Sequence, residues 1–242
     1  MPSKGYTLNA DDHEVKHRLN SVILSEYAGY HASNAVILPS ITCNDVIKCK
    51  ELGIFDANTR FLAFERGVND HDGNLIKPYD FFRILESKFN SIFECDRILN
   101  RYCKTVMGDI RKNHFGMDPK NIGKFDFGNY DTCSYPYDAG NWFRSQIDAF
   151  KSGSPVLFTF DADYNNRKCR PMSGRKVGND VIWYGMENIE NYSRELIQDV
   201  EIKCRRVAWA LRQCGLDIKS LYCYKEHVAN SKVMMVISSV KR

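Results

Sequence analysis

Long apolar runs are missing from this sequence. No stretch approaches the roughly 20 apolar residues that a membrane-spanning helix needs, and the opening Met1-Pro2-Ser3-Lys4-Gly5 has no apolar core of a secretory signal. An intracellular, cytoplasmic protein with no membrane partner is expected. The nine cysteines are an odd number and no two are spaced C-x-x-C, which removes the usual zinc-ribbon and dithiol signatures. Most are expected to be reduced and buried as small hydrophobes. Repeats and low-complexity tracts are also missing, and the 15 glycines and 7 prolines never cluster into a linker. A single domain over residues 1–242 is therefore expected, with 1–32 as a helical extension and 33–242 as the core. Neither sign of charge dominates. The 34 Lys and Arg against 30 Asp and Glu leave +4, which admits an anionic partner without requiring one.

What is present is an ordinary globular composition, 43% hydrophobic and 26% charged. Val15, Leu19, Val22 and Ile23 recur at helical spacing and predict an amphipathic helix over about 12–27. Ala35-Val36-Ile37-Leu38 predicts a buried strand stopped by Pro39-Ser40, and a helix over Asn44 to Leu52 stops at Gly53. Strands follow at Arg60–Glu65, Lys104–Met107, Lys124–Phe127 and Pro155–Phe160. Between them, Phe82, Leu85, Phe89 and Phe93 stripe a helix from Pro78 to about Asn100, and Trp142, Phe143, Ile147 and Phe150 form a second helical face. A long helix is expected from about Glu187 to Cys214. The chain finishes with strands at Lys219–Tyr224 and Val233–Val240, too close in sequence for a parallel crossover and so paired as an antiparallel hairpin. This order describes an α/β sandwich, parallel except at one strand.

Such sheets bind ligands beyond the carboxyl ends of their strands. The residues to inspect are therefore Pro39-Ser40, Glu65-Arg66, Gly108-Asp109, Asn129 to Ser134 and Asp161 to Asn165. Glu65 ends the second strand about 25 residues after the first one stops, where a carboxylate can accept from both hydroxyls of a ribose. Asp109, after the third strand, can accept from an adenine amino group.

Phe61-Leu62-Ala63-Phe64-Glu65, Val106-Met107-Gly108-Asp109-Ile110, the segment Phe125 to Cys133 and the reversed terminal hairpin together resemble the class I S-adenosylmethionine-dependent methyltransferases. The resemblance implies a Rossmann-like three-layer sandwich with a mostly parallel sheet and a C-terminal antiparallel hairpin. It implies S-adenosylmethionine as cofactor, held along Pro39, Ser40, Glu65, Arg66, Asp109 and Ile110. It also implies an acceptor-facing loop after the fourth strand, with Asp131, Asn129 and Tyr130 as the candidates to orient the acceptor or take its proton. One departure stands out: the glycine-rich turn usual after the first strand is replaced by Leu38-Pro39-Ser40-Ile41-Thr42-Cys43-Asn44-Asp45.

A nucleic acid, DNA or RNA, is the expected substrate. Tyr135 and Tyr137, with Tyr130, are placed to stack on a base taken out of its helix. Arg167, Lys168, Arg170, Arg175 and Lys176 form the densest positive run, with no acid from Asn165 to Lys176, as phosphate contacts require. Two alternatives stand beside this. The missing glycines suit a non-catalytic relative that binds nucleotide or protein. His13-Glu14-Val15-Lys16-His17 matches the H-E-x-x-H pattern of zinc peptidases. Its polar flank, Asn9 to Asp12, the internal Lys16, and Asn20 where an extended pattern needs glycine all argue against that reading. No metal is expected.

Overall fold

The structure is a computed structural model that describes residues 14–39, 42–65, 78–94, 104–107, 124–134, 143–161, 194–225 and 233–242. The chain divides into two compact units, Met1–Asn129 and Tyr130–Arg242.

The first unit holds helices α1 (Glu14–Ser25), α2 (Asn44–Glu51) and α3 (Pro78–Phe93), with strands β1 (Asn34–Ile37), β2 (Arg60–Glu65), β3 (Lys104–Met107) and the start of β4 (Phe127–Ser134). β1 lies between β2 and β4 and is parallel to both, and β2 is parallel to β3. Every residue of β1 is buried, which is why it reads as an unbroken apolar run rather than an alternation. α3 carries Leu85, Phe89 and Phe93 at four-residue intervals, all buried. The rings of Phe89 and Phe93 lie 5.0 and 5.8 Å from that of Phe61 on β2. Phe55 meets Phe61 and Phe127 edge-on, each at 5.1 Å. Rings packed this way contribute about 1.5–3 kcal/mol each through burial.

Three expectations need correcting here. On α1 the buried residues are Leu19, Asn20, Ile23 and Leu24, while Val22 is 45% exposed. At 100° per residue the buried arc centres between Leu19/Ile23 and Asn20/Leu24, and Val22 falls outside it. α3 ends at Phe93, where Glu94 turns left-handed (φ 53°), rather than near Asn100. β4 starts at Phe127 and runs to Ser134, not from Lys124 to Phe127. Asp126 is the reason for the late start. Its carboxylate accepts from the Asn34 amide (2.8 Å), and the Asn34 side-chain amide donates to Lys124 O (3.2 Å), so the approach to the strand is anchored by side chains before the ladder begins.

The second unit contains the rest of β4, β5 (Pro155–Asp161), α4 (Arg194–Gln213), β6 (Leu216–Lys225) and β7 (Val233–Lys241). β7 pairs antiparallel with β5 and with β6, so the terminal hairpin forms as expected. Its core is aromatic: Tyr130, Phe143, Phe150, Phe158 and Phe160 are fully buried. α4 presents Cys204, Val207, Ala208 and Leu211 to the interior. In place of a regular helix near 142–150 there is a helical turn and then a 3-10 helix at Ile147–Ala149. The Ile147 and Phe150 carbonyls accept from Lys241 Nζ, each at 2.8 Å. Within the first unit the strand order is β3-β2-β1-β4, and within the second β7 lies between β5 and β6.

Candidate functional site

Parallel pairing brings the carboxyl ends of β1, β2 and β3 to one edge, with Asn129, near the start of β4, level with the end of β1. Ile37, the last residue of β1, is in register with Ala63 on β2 and Asn129 on β4. Glu65, the last residue of β2, is in register with Met107, the last of β3. Asp109 follows Met107 by two residues in the sequence. Asp109 itself lies outside the described residues, as do Ser40, Arg66, Ile110, Tyr135, Tyr137, Arg167, Lys168, Arg170, Arg175, Lys176 and His13.

The turn from β1 into α2 is built without glycine. Pro39 is buried, and Cys43 takes the left-handed conformation, φ 55° and ψ 23°, just before the helix. Its amide donates to Pro39 O (3.2 Å), and its carbonyl accepts from Ile47 N (2.9 Å). A left-handed residue is what glycine usually supplies at such a turn, and here a buried cysteine takes that conformation. Burial pushes the Cys43 thiol up to about 11, Asp45 adding to the rise and Lys88 opposing it. Cys49, six residues further on, is also raised, by burial first and Asp45 second. Both are neutral thiols at physiological pH, in keeping with the expected role as small hydrophobes.

Asp45, in the first turn of α2, is the polar centre of this edge. Its Oδ2 accepts from Asn129 Nδ2 at 2.9 Å, and Asn20 Nδ2 on α1 lies 3.3 and 3.5 Å from its two oxygens. A carboxylate near a helix N-terminus is favoured by the dipole, which is how Asp45 reads in isolation. Its reach to α1 and β4 gave no signal in the sequence. Pro39, Asp45, Phe55, Phe127 and Asn129 help line a crevice of about 210 Å³, counted out to solvent and nowhere wide enough to hold a water molecule.

Asn129 and Asp131 sit within β4, not in a loop after it. Two residues apart, they share one face of the strand, and Tyr130 points to the other. Asn129 is buried (8% exposed) and Asp131 half-buried. Tyr130 is a core residue. It is fully buried, its hydroxyl donates to Gln146 Oε1 (3.1 Å), and its ring packs 5.4 Å from Phe143 and 5.3 Å from Phe158. Burial alone pushes its phenol well above the ordinary value of 10.0. A ring enclosed in this way offers no face to a nucleobase. α1 begins at Glu14, inside the H-E-x-x-H pattern. No cluster of three metal-ligating side chains occurs among the described residues.

No family model matches the sequence, and no curated protein matches it. Solved structures do. The O-methyltransferase TomG from Streptomyces achromogenes, involved in tomaymycin synthesis and solved in complex with SAM, is similar with a TM-score of 0.50 at 8% identity, over 96% of this chain and 87% of that one. The fold is the Rossmann-like methyltransferase fold. The 4+2 cyclase SpnF shares it, with a TM-score of 0.50 at 10% identity over 100% of this chain and 88% of that one. The Rossmann-like methyltransferase fold agrees with the strand order and with the reversed β7. No helix among the described residues is long and apolar enough to cross a membrane.

Proposed function

We propose that the protein is an S-adenosylmethionine-dependent methyltransferase acting on a nucleic acid. The observation that carries this reading is the placement of Glu65 at the end of β2, level with the end of β3, two residues before Asp109. Adjacent strands lie about 4.8 Å apart, so the ends of β2 and β3 open on one edge, where Glu65 would accept from the ribose hydroxyls and Asp109 from the adenine amino group of one adenosine. The donor set fits the cofactor chemically: two acceptor-only groups meet two kinds of hydrogen-bond donor. Cys43, in the conformation of the missing glycine, suits the close backbone approach that the first turn must allow.

When bound, S-adenosylmethionine supplies an electrophilic methyl group on a sulfonium. The protein's own work is to align donor and acceptor and to exclude water. Pro39 and Ser40, with Arg66 and Ile110, would flank the cofactor. Asn129 and Asp131 would orient the acceptor, with Asp131 the candidate to take its proton. The basic run Arg167, Lys168, Arg170, Arg175 and Lys176 supports a polynucleotide as acceptor, since phosphate contacts position such a substrate without reading its sequence. Tyr135 and Tyr137 remain the candidates to stack on a base.

Calorimetry of the full chain with S-adenosylmethionine tests the reading. Binding weakened by at least tenfold in Glu65→Ala and in Asp109→Ala is expected, whereas binding indifferent to both substitutions would refute the site. The narrowness of the crevice beside Pro39, Asp45 and Asn129 favours a second reading, a protein of this fold that binds without methylating. A folded sample that does not bind the cofactor at all would select it.

A further inference from the structure

Asn129 is the candidate acceptor-facing residue whose surroundings are most fully defined. Its only side-chain hydrogen bond among the described residues runs from Nδ2 to Asp45 Oδ2, at 2.9 Å. An ionised carboxylate has lone pairs and no proton to give, so Asp45 fixes which end of the amide faces it. The NH2 group must turn to Asp45, and the carbonyl Oδ1 must turn away. Asn20 obeys the same logic from α1, presenting its own NH2 to the same carboxylate at 3.3 and 3.5 Å. With Asn20 and Asn129 both donating to it, Asp45 ties α1, α2 and β4 together at the carboxyl edge of the strands. Asn129 lines the crevice there together with Pro39 and Asp45, so its unspent carbonyl belongs to the same edge as Glu65.

We infer that Asp45 is a positioning residue: it holds the Asn129 amide with its carbonyl presented to the ligand, so the group received there is a hydrogen-bond donor, an amine or a hydroxyl. The identity of that group as a methyl acceptor rests on the function proposed above; the orientation of the amide does not. The carboxylate also adds a negative charge beside the carbonyl, which further favours an N–H or O–H donor over an acceptor atom.

Two measurements on the full chain test this. The first is hydrogen exchange of the Asn129 side-chain amide by 15N NMR, its resonances assigned by their loss in Asn129→Ala. Exchange at least tenfold slower than for an exposed asparagine is expected, rising to the exposed rate in Asp45→Leu and lying between in the near-isosteric Asp45→Asn. Exposed-type exchange in the unaltered protein, or exchange unchanged by both substitutions, would overturn the inference. Asp45→Asn keeps the test open if Asp45→Leu does not fold. The second uses a mixed pool of single-stranded RNA as the donor-bearing probe with radiolabelled S-adenosylmethionine. Asp45→Leu should lower kcat at least tenfold while calorimetric affinity for the cofactor stays within twofold. A loss of cofactor affinity in place of kcat, or no loss of either, would contradict the positioning role. An unaltered protein that binds no cofactor sinks the methyltransferase reading alone, because the exchange measurement still decides Asp45.

Discussion

Cys43 holds a left-handed backbone that costs an L-residue with a Cβ about 1–2 kcal/mol, and it does so where the resemblance leads one to expect glycine. The comparison that isolates this cost is Cys43→Gly against Cys43→Ala. Chemical denaturation should find the glycine variant more stable by about 1 kcal/mol, the reverse of the order found at ordinary positions. The buried thiol also has a signature in pH. Its folded value, about 11, lies above the ordinary 9.0. Between those values the unfolded chain loses a proton that the folded chain keeps, so stability falls as pH rises, by about 1.4 kcal/mol per pH unit for a single thiol. Denaturation between pH 9 and 11 should show a shallower decline in Cys43→Ala than in the unaltered protein. Tyr130 gives a third expectation at this scale. Tyr130→Phe removes the hydroxyl's hydrogen bond to Gln146 Oε1 and should cost about 0.5–1.5 kcal/mol. Affinity for S-adenosylmethionine should be unchanged, as befits a core residue and not an acceptor-facing one.

Among the elements, α3 and β2 show how far periodicity carries. Leu85, Phe89 and Phe93 are evenly spaced in the sequence, and all three are buried. Phe89→Ala should therefore cost about 3–5 kcal/mol in denaturation experiments. The bounds of β2 and β3 were legible to the residue, because β-rich runs meet clear turn signals there. Gly53 was legible too: it follows α2 with φ 72°, a conformation that favours glycine. β4 was not. What delays its start is the Asp126 carboxylate on the Asn34 amide, a contact between residues 92 apart, and no local pattern encodes such a pair. The same holds for the candidate site. Glu65 could be found by counting from one strand end to the next. Asp45 and Asn20 could not, since their meeting with Asn129 depends on how α1 and α2 pack. Val22 misled for a simpler reason: an apolar residue just outside the buried arc of a helix looks, in sequence, like a member of it.

At the scale of the whole molecule, the parallel pairing of β1 to β4 matters most, because it turns residues scattered from Pro39 to Asn129 into one edge. In the second unit the hairpin formed by the last two strands places β7 antiparallel between β5 and β6. Glu65 ends one of the parallel strands and is the residue on which the proposed adenosyl site at this edge depends. A crystal structure of the full chain with S-adenosylhomocysteine examines this by position alone. The ligand is predicted at the carboxyl ends of β1 to β3, with the ribose hydroxyls at about 2.5–3.0 Å from the Glu65 carboxylate and the adenine amino group on Asp109. Density for the ligand at any other edge, or Glu65 and Asp109 facing opposite sides of the sheet, would contradict it.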